Sequence, residues 1–439
     1  MTPFEIIKRL IDNKYQAYFI GGYVRDKLIG IESDDIDIVT SARPYQLHQL
    51  FSDCSIKTVG ESFGIVIIDG TEVATYRKDK YSTNSTVKIR YADSLQEDTE
   101  RRDFTINAIA MTEDGIYIDF YNGLEDIKNR IIRFIGDPIK RIEEDPVRML
   151  RACRFTAVLN GKLHPSAIKA IQQKHYLLKD ITPERIRLEI MKAMKAKRAG
   201  VFFSLCHISF LLPIFLPELS VGYSLGQNQY HTKTVFEHNI ITGDSISTKY
   251  PLLKLAGYLH DIGKSYVREF DQEKQDFIFY NHEQKGEELI KERLKELKFS
   301  TKEIKFISTI VRYHMRPISH TKNIKKLLHT LQGSDVQFKD MVRFKLADKV
   351  GKGNGKFLPM SFIKAILSDY TKILNYKEPF SVKHLAINGF DLMTKYNIPE
   401  GPKIGIILKQ LFEKVLENSE LNVREKLFEL VEEMDGKIS

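Results

Sequence analysis

Ile20-Gly21-Gly22-Tyr23-Val24-Arg25-Asp26, followed by Asp34-Asp35-Ile36-Asp37-Ile38-Val39, decides how this chain reads. Two adjacent glycines after an apolar run let backbone approach a phosphate closely. Asp35 and Asp37 stand two apart in a β-compatible run, which points both side chains to one face of a strand. The pair reads as a nucleotide-binding turn followed by a carboxylate site for Mg²⁺. The plainer alternative is a glycine turn followed by acidic loop residues.

The 439 residues, 42 % of them hydrophobic, suffice for several compact units. The 67 basic residues against 58 acidic ones, a net +9, weakly favour a polyanionic partner. Cys54, Cys153 and Cys206 are scattered and form no CxxC pair, which fits a reducing compartment and no disulfide scaffold. No basic stretch leads into a long apolar run, and nothing offers 18 consecutive apolar residues. A cytoplasmic protein without a membrane span is expected.

Working outward, residues 4–18 read as a helix. Ile36–Val39, Ser55–Val59, Gly64–Ile68, Thr71–Thr75 and Ile116–Phe120 read as strands. After Asp137-Pro138 the pattern turns helical, with Glu143–Leu159 and Pro183–Met194 at helical spacing. Pro213, Pro217 and Gly222 mark a boundary, and Gly351-Lys352-Gly353-Asn354-Gly355 is a break. These signals give an α+β chain with four expected parts: an α/β head at 1–140, a helical neck at 141–222, a histidine-rich helical unit at 223–350 and a helical tail at 351–439.

Three further clusters belong to the head and neck. Glu72 lies in the strand-like run Thr71–Thr75 and is either a third carboxylate or a solvated one. Arg101-Arg102-Asp103, with Asn107 just after, suits a site that handles ribose and phosphate, or is a solvated charge run. In Glu144-Asp145-Pro146-Val147-Arg148, Asp145, Arg148 and Arg151 are three apart and are expected on one helical face. Arg donates to a base acceptor and Asp accepts from an exocyclic amine, so the pair would select cytosine and adenine. An ordinary surface ion pair is the alternative.

In the histidine-rich unit an apolar helix ends on His260-Asp261. Both can ligate a divalent ion. His231 and His238 stand upstream; His282, His314 and Asp348 stand downstream, where only folding can assemble them.

These motifs resemble those of the bacterial class II tRNA nucleotidyltransferases, the CCA-adding enzymes, with a polymerase-β-like head, shared with poly(A) polymerases, and an appended HD domain. The resemblance covers nearly the whole chain. It implies that Gly21, Gly22 and Arg25 bind the nucleotide and that Asp35 and Asp37 are catalytic Mg²⁺ ligands. It places Arg101, Arg102, Asp103 and Asn107 around ribose and triphosphate, and Asp119 and Gly123 in a hinge between head and neck. Asp145 and Arg148 become the amino-acid template, with Arg151 and Arg154 on the basic face of the same motif. Pro183–Glu189 matches the neck motif. His238, His260, Asp261 and Asp348 resemble the HD metal ligands, with His282 and His314 added in a two-metal version; the metal's identity does not follow.

The implied activity is template-independent addition of C and A to the tRNA 3′ end from CTP and ATP, with tRNA held by its acceptor arm. Phe63-Gly64, within Val59–Val66, matches the CCA-adding branch rather than the poly(A) branch. The segment 78–87 lacks the basic-proline part of the family's loop, so a CC-adding enzyme using CTP alone, working with a partner A-adding enzyme, is the first alternative. An A-adding enzyme or poly(A) polymerase, and an HD phosphohydrolase acting on nucleotides or RNA ends, are the others.

Overall fold

The computed structural model describes residues 1–33, 35–58, 64–81, 87–227, 232–353 and 357–435. Two compact units divide the chain, Met1–Ser220 and Val221–Ser439.

The first unit is built on a seven-stranded sheet. Its strands are β1 (Ala17–Ile20), β2 (Asp37–Thr40), β3 (Ile56–Thr58), β4 (Ile65–Ile68) and β5 (Thr71–Thr75); after the separate hairpin β6 (Arg77–Tyr81) and β7 (Val87–Tyr91) come β8 (Ala110–Met111) and β9 (Tyr117–Ile118). The spatial order is β3-β4-β5-β2-β1-β8-β9. Only β2 and β5 run parallel.

One face of the sheet presents Phe19, Ile38, Val66, Ile68 and Val73 to Ile6, Ile7 and Leu10 of the helix Pro3–Asp12. Each of these apolar side chains stabilises the fold by about 1.5–3 kcal/mol when fully buried. Thr2 and Glu5 start the helix as a capping box. It is shorter than the expected 4–18: Lys14, at φ +66°, turns the chain out of the helix, and Ala17 already belongs to β1. The other face buries Ile20, Val39, Tyr76, Ala92, Leu95 and Ala110. Because cross-strand partners share a face, Ile20, Asp37 and Glu72 lie on it together.

Beyond the sheet come the helices Pro138–Glu144, Val147–Val158, Pro165–Lys174, Pro183–Ala193 and Gly200–Ile208. The expected single helix over 143–159 is two. Pro146 forces the residue before it out of the helical region, and Asp145 is extended at φ −152°, ψ 100°. The neck is also not all helix, since Ile131–Ile132 pairs in parallel with Lys162–Leu163.

The second unit packs Val235–Asp244, Pro251–Leu259, His282–Glu296, Thr301–Tyr313 and Phe338–Gly351 around its histidines. Its expected helical character is interrupted by a hairpin, Glu269–Asp271 with Asp276–Ile278. Helices Gly389–Tyr396, Pro402–Glu417 and Arg424–Asp435 close a further core around Leu392, Ile407 and Leu411. Asn354 and Gly355 of the expected break lie outside the described residues, as do His231, residues 59–63 of the Phe-Gly motif and residues 82–86. Among the described residues no helix is long and apolar enough to cross a membrane.

Candidate active site and metal centre

A cavity of about 720 Å³ in the first unit gathers most of the head residues singled out from sequence. Gly21, Gly22 and Arg25 line it beside Asp35, Asp37 and Glu72; Arg101, Arg102, Asp103 and Asn107 form another wall; Asp145, Arg148 and Arg151 complete it. Gly21 sits at φ +76°, in the left-handed region, at the start of the helix Gly22–Leu28. A Cβ there would come within 3.1 Å of the Arg102 guanidinium and 3.6 Å of Asp37 Oδ2. The turn must therefore be glycine for backbone, arginine and carboxylate to meet.

Glu72 is the register partner of Asp37 across the parallel β2–β5 pair, so sheet geometry resolves it as a neighbouring carboxylate. Burial, then the charges of Glu72 and Asp35, push the Asp37 carboxyl up to about 6, against the opposing pull of Arg102. Carboxylates that raise one another in this way form a donor set that a hard divalent cation relieves.

The arginines are held from behind. Asp98, fully buried, accepts from Arg101 at 2.8 Å and from Arg102 at 3.3 Å. Asp103 is buried too; despite burial, Arg151 at 2.5 Å and the Asn107 amide at 2.9 Å keep its carboxyl below the ordinary value. Arg25 donates to Asn107 Oδ1 at 2.7 Å and lies 5.0 Å over the Phe155 ring. These bonds fix guanidinium forks around the cavity before any phosphate arrives.

The pair Asp145 and Arg148, expected to read the base, departs from its expected geometry. Arg148 is in the helix Val147–Val158, but Asp145 lies in the break before it, so the two do not share a helical face. They reach the same cavity because the break folds Asp145 back, its Oδ1 accepting from Val147 N–H at 3.2 Å. Arg148 donates to Glu144 at 2.5 Å, to the Arg141 carbonyl at 2.9 Å and to the Arg101 carbonyl at 3.2 Å. Arg154 is not brought to the cavity wall: it is buried against Glu189 at 2.5 Å, with its guanidinium 4.0 Å over Phe155.

Asp119 and Gly123, expected in a hinge, meet at the start of a helix. Asp119 accepts from Tyr121, Gly123 and Leu124 N–H at 2.9–3.1 Å, capping the helix Gly123–Asn129.

Sequence reading gave Arg77, Phe155, Leu188 and Lys192 no place at the site, yet all four line the cavity. On the helix Pro183–Ala193, Arg185, Leu188, Glu189 and Lys192 recur at i, i+3, i+4 and i+7, the only signal that could have found that wall.

The second unit brings together all six of its expected ligands. Nε2 atoms of His238 and His260 are 3.0 Å apart, and those of His282 and His314 3.2 Å. Asp261 lies between the pairs. Its Oδ2 is 3.3 Å from both His238 and His260; its Oδ1 is 3.2 Å from His282 and 3.4 Å from His314. Asp348 Oδ1 is 3.2 Å from His238 and 3.6 Å from His260. His238–His260–Asp261 and Asp261–His282–His314 each place their ligand atoms within 4.8 Å of one another.

The opposite ring nitrogens of His260, His282 and His314 bond to the carbonyls of Gly257, Phe279 and Val311, which aims each Nε2 inward. Buried nitrogen and carboxylate donors in this pattern fit two divalent ions sharing Asp261. Despite burial, the carboxylates push His260 up to about 9, whereas burial first, then His260 and His282, bring His314 down to about 4. Lys264, not assigned from sequence, lies 2.7 Å from Asp261. A cavity of about 320 Å³ opens above the cluster, lined also by Lys264, Phe279, Tyr280, Met315 and Lys352.

Known families match successive stretches of the chain. Residues 17–133 match the poly A polymerase head domain, 162–222 the probable RNA and SrmB-binding site of polymerase A, and 230–350 the HD domain. The CCA-adding enzyme of Bacillus licheniformis is 40% identical over 208 residues, 46% of this chain and 51% of the relative. That of Limosilactobacillus fermentum is 39% identical over 197 residues, 44% and 49% of the two chains. The match spans about half the length of these curated relatives.

The structure of a Bacillus stearothermophilus CCA-adding enzyme in complex with CTP covers 100% of this chain and 99% of its own at 25% identity, with a TM-score of 0.69. A Thermotoga maritima CCA-adding enzyme complexed with tRNA, at 20% identity and TM-score 0.60, covers 99% and 96% and shares the fold. This chain, which carries a stretch matching the poly A polymerase head and another matching the HD domain, is similar to CCA-adding enzymes over about half their length in sequence and along its whole length in fold.

Proposed function

We propose that the chain is a tRNA nucleotidyltransferase that adds C and A to the tRNA 3′ end from CTP and ATP. The observation that carries this reading is the convergence, in one cavity, of the Gly21–Gly22 turn, the carboxylates Asp35, Asp37 and Glu72, and the pair Asp145 and Arg148. Gly21 and Gly22 offer backbone to the triphosphate, and the forks of Arg25, Arg102 and Arg151 receive its oxygens. Asp35 and Asp37, with Glu72 beside them, hold Mg²⁺, which when bound favours ionisation of the attacking 3′-hydroxyl and offsets charge on the leaving pyrophosphate. Arg148 donates to the ring acceptor of C or A while Asp145 accepts from the exocyclic amine; U and G present the opposite pattern. The tRNA acceptor arm is held by shape and charge, so its binding weakens steeply with salt.

The test uses tRNAs ending before CCA, after C and after CC, each offered CTP, ATP or both. Growth to full CCA is the expected result. A stop at CC with tRNA-CC untouched by ATP would make this a CC-adding enzyme, the alternative favoured by the unusual 78–87 segment.

For the HD domain, the six-ligand cluster supports a second site that holds divalent ions, which when bound supply Lewis-acid chemistry for hydrolysis of a phosphate ester. Metal-dependent release of product from a model diester such as bis(p-nitrophenyl) phosphate tests it.

A further inference from the structure

Two groups read the incoming base in the proposed reaction, and they are held very differently. Arg148 is nearly buried, its side chain 8% exposed, and three acceptors fix it. Asp145 sits in extended backbone between two helices, where one N–H bond from Val147 restrains only Oδ1. Its Oδ2 accepts from Arg185 Nη2 at 2.7 Å, across 40 residues of chain. Arg185 stands in the first turn of the helix Pro183–Ala193, on the face that lines the nucleotide cavity, with its side chain 46% exposed.

Resting on the nucleotidyltransferase reading of the head, we propose that Arg185 is the positioning residue for base choice: it holds the Asp145 carboxylate at the angle that accepts an exocyclic amine. A carboxylate pinned at one oxygen by a backbone N–H still rotates about its terminal torsion, because that torsion is broad. A guanidinium on the second oxygen removes this freedom, and each carboxylate oxygen keeps a lone pair for the base. Without Arg185 the carboxylate turns or recruits water, and the penalty against the carbonyl of uracil, which faces it in place of an amine, declines. The residues assigned to the triphosphate, Gly21, Gly22, Arg25, Arg102 and Arg151, are left in place. Loss of Arg185 therefore acts on the choice between CTP and UTP, not uniformly on all nucleotides.

The experiment measures kcat/KM for CTP and for UTP on a tRNA ending before CCA, with wild type, Arg185→Gln and Arg185→Lys. Arg185→Gln is expected to lower the CTP:UTP ratio about tenfold or more, the worth of one charge-assisted hydrogen bond. Arg185→Lys, which keeps the charge but not the fork, should restore part of that ratio. Equal losses for both nucleotides would reassign Arg185 to phosphate or tRNA, and an unchanged ratio would leave it no role; either overturns the proposal. If Arg185→Gln melts early, Arg185→Lys carries the test, and a wild-type ratio in that variant overturns the proposal as well. A wild-type protein that extends no tRNA would instead sink the nucleotidyltransferase reading itself.

Discussion

At the scale of single residues, Asp37 does the most with least freedom. It starts β2, pairs in register with Glu72 across the parallel strands, lies where a Cβ on Gly21 would meet it, and feels the charge of Arg102. Asp37→Asn removes one negative charge from the set that would hold Mg²⁺ while preserving shape. Nucleotide addition should fall at least a hundredfold or so, since charge stabilisation of this kind is commonly worth about 10²–10³. tRNA affinity in a filter-binding assay should stay within about twofold, because phosphate contacts elsewhere dominate it; near-normal extension would remove Asp37 from catalysis. Lys254 supplies a pH signature of a different kind. Its side chain is fully buried and donates to the carbonyls of Gly243 and Ile246, at 3.1 and 3.0 Å, where the helix Val235–Asp244 ends. Burial lowers its ammonium below the ordinary 10.5, only partly opposed by Asp244. The folded chain then gives up this proton at a lower pH than the unfolded chain, so through that window the unfolded state holds more protons and stability rises with pH. Urea titrations should show wild type gaining stability relative to Lys254→Met as pH rises towards 10.5; a difference that stays constant with pH would contradict the burial argument.

At the scale of elements, the same physics decides what the sequence could show. The Asp35/Asp37 pair and the His260-Asp261 step were legible because adjacency is local, but only Asp37 lies in β2; Asp35 precedes the strand and reaches the cavity from the loop rather than by strand period. The break at Asp145-Pro146 was equally local, since proline favours a helix start and constrains the residue before it; what spacing over 143–159 does not show is that Asp145 itself leaves the helix. Arg185 was not legible as the partner of Asp145, because that bond spans 40 residues; Glu72 was legible only as one of two alternatives, because its place beside Asp37 depends on parallel register, which no single segment encodes. The helix start at Asp119–Gly123 shows how tightly such elements are set. A Cβ on Gly123 would fall 2.3 Å from the Thr105 carbonyl oxygen, which is backbone and cannot step aside. Gly123→Ala should destabilise the first unit by about 1–3 kcal/mol. Asp119→Ala, which strips the cap from the helix Gly123–Asn129, should cost about 1 kcal/mol. Chemical denaturation that found Asp119→Ala the costlier of the two would show the close packing at Gly123 to be slack.

At the scale of the whole molecule, each candidate site is complete within its own unit. Every residue lining the nucleotide cavity lies between Ile20 and Lys192, and every ligand of the histidine cluster between His238 and Asp348, on opposite sides of the division at Ser220. Chemistry assembled from separate sets of residues separates by mutation. Asp261 is the ligand placed between both histidine pairs, so Asp261→Asn should abolish tight binding of divalent metal by the second unit, read as equivalents of Mn²⁺ or Ni²⁺ retained after desalting. His282→Ala combined with His314→Ala should instead retain about half, because His238, His260, Asp261 and Asp348 remain. Both variants should add nucleotides to tRNA at close to the wild-type rate, whereas Asp35→Ala should stop addition and leave the retained metal unchanged. The metal should also stabilise the second unit in proportion to its occupancy, since it binds the folded state and not the unfolded one, so a melt with and without added Mn²⁺ provides an independent readout. Nucleotide addition silenced by Asp261→Asn in a protein that stays folded would overturn this expected separation of the two sites.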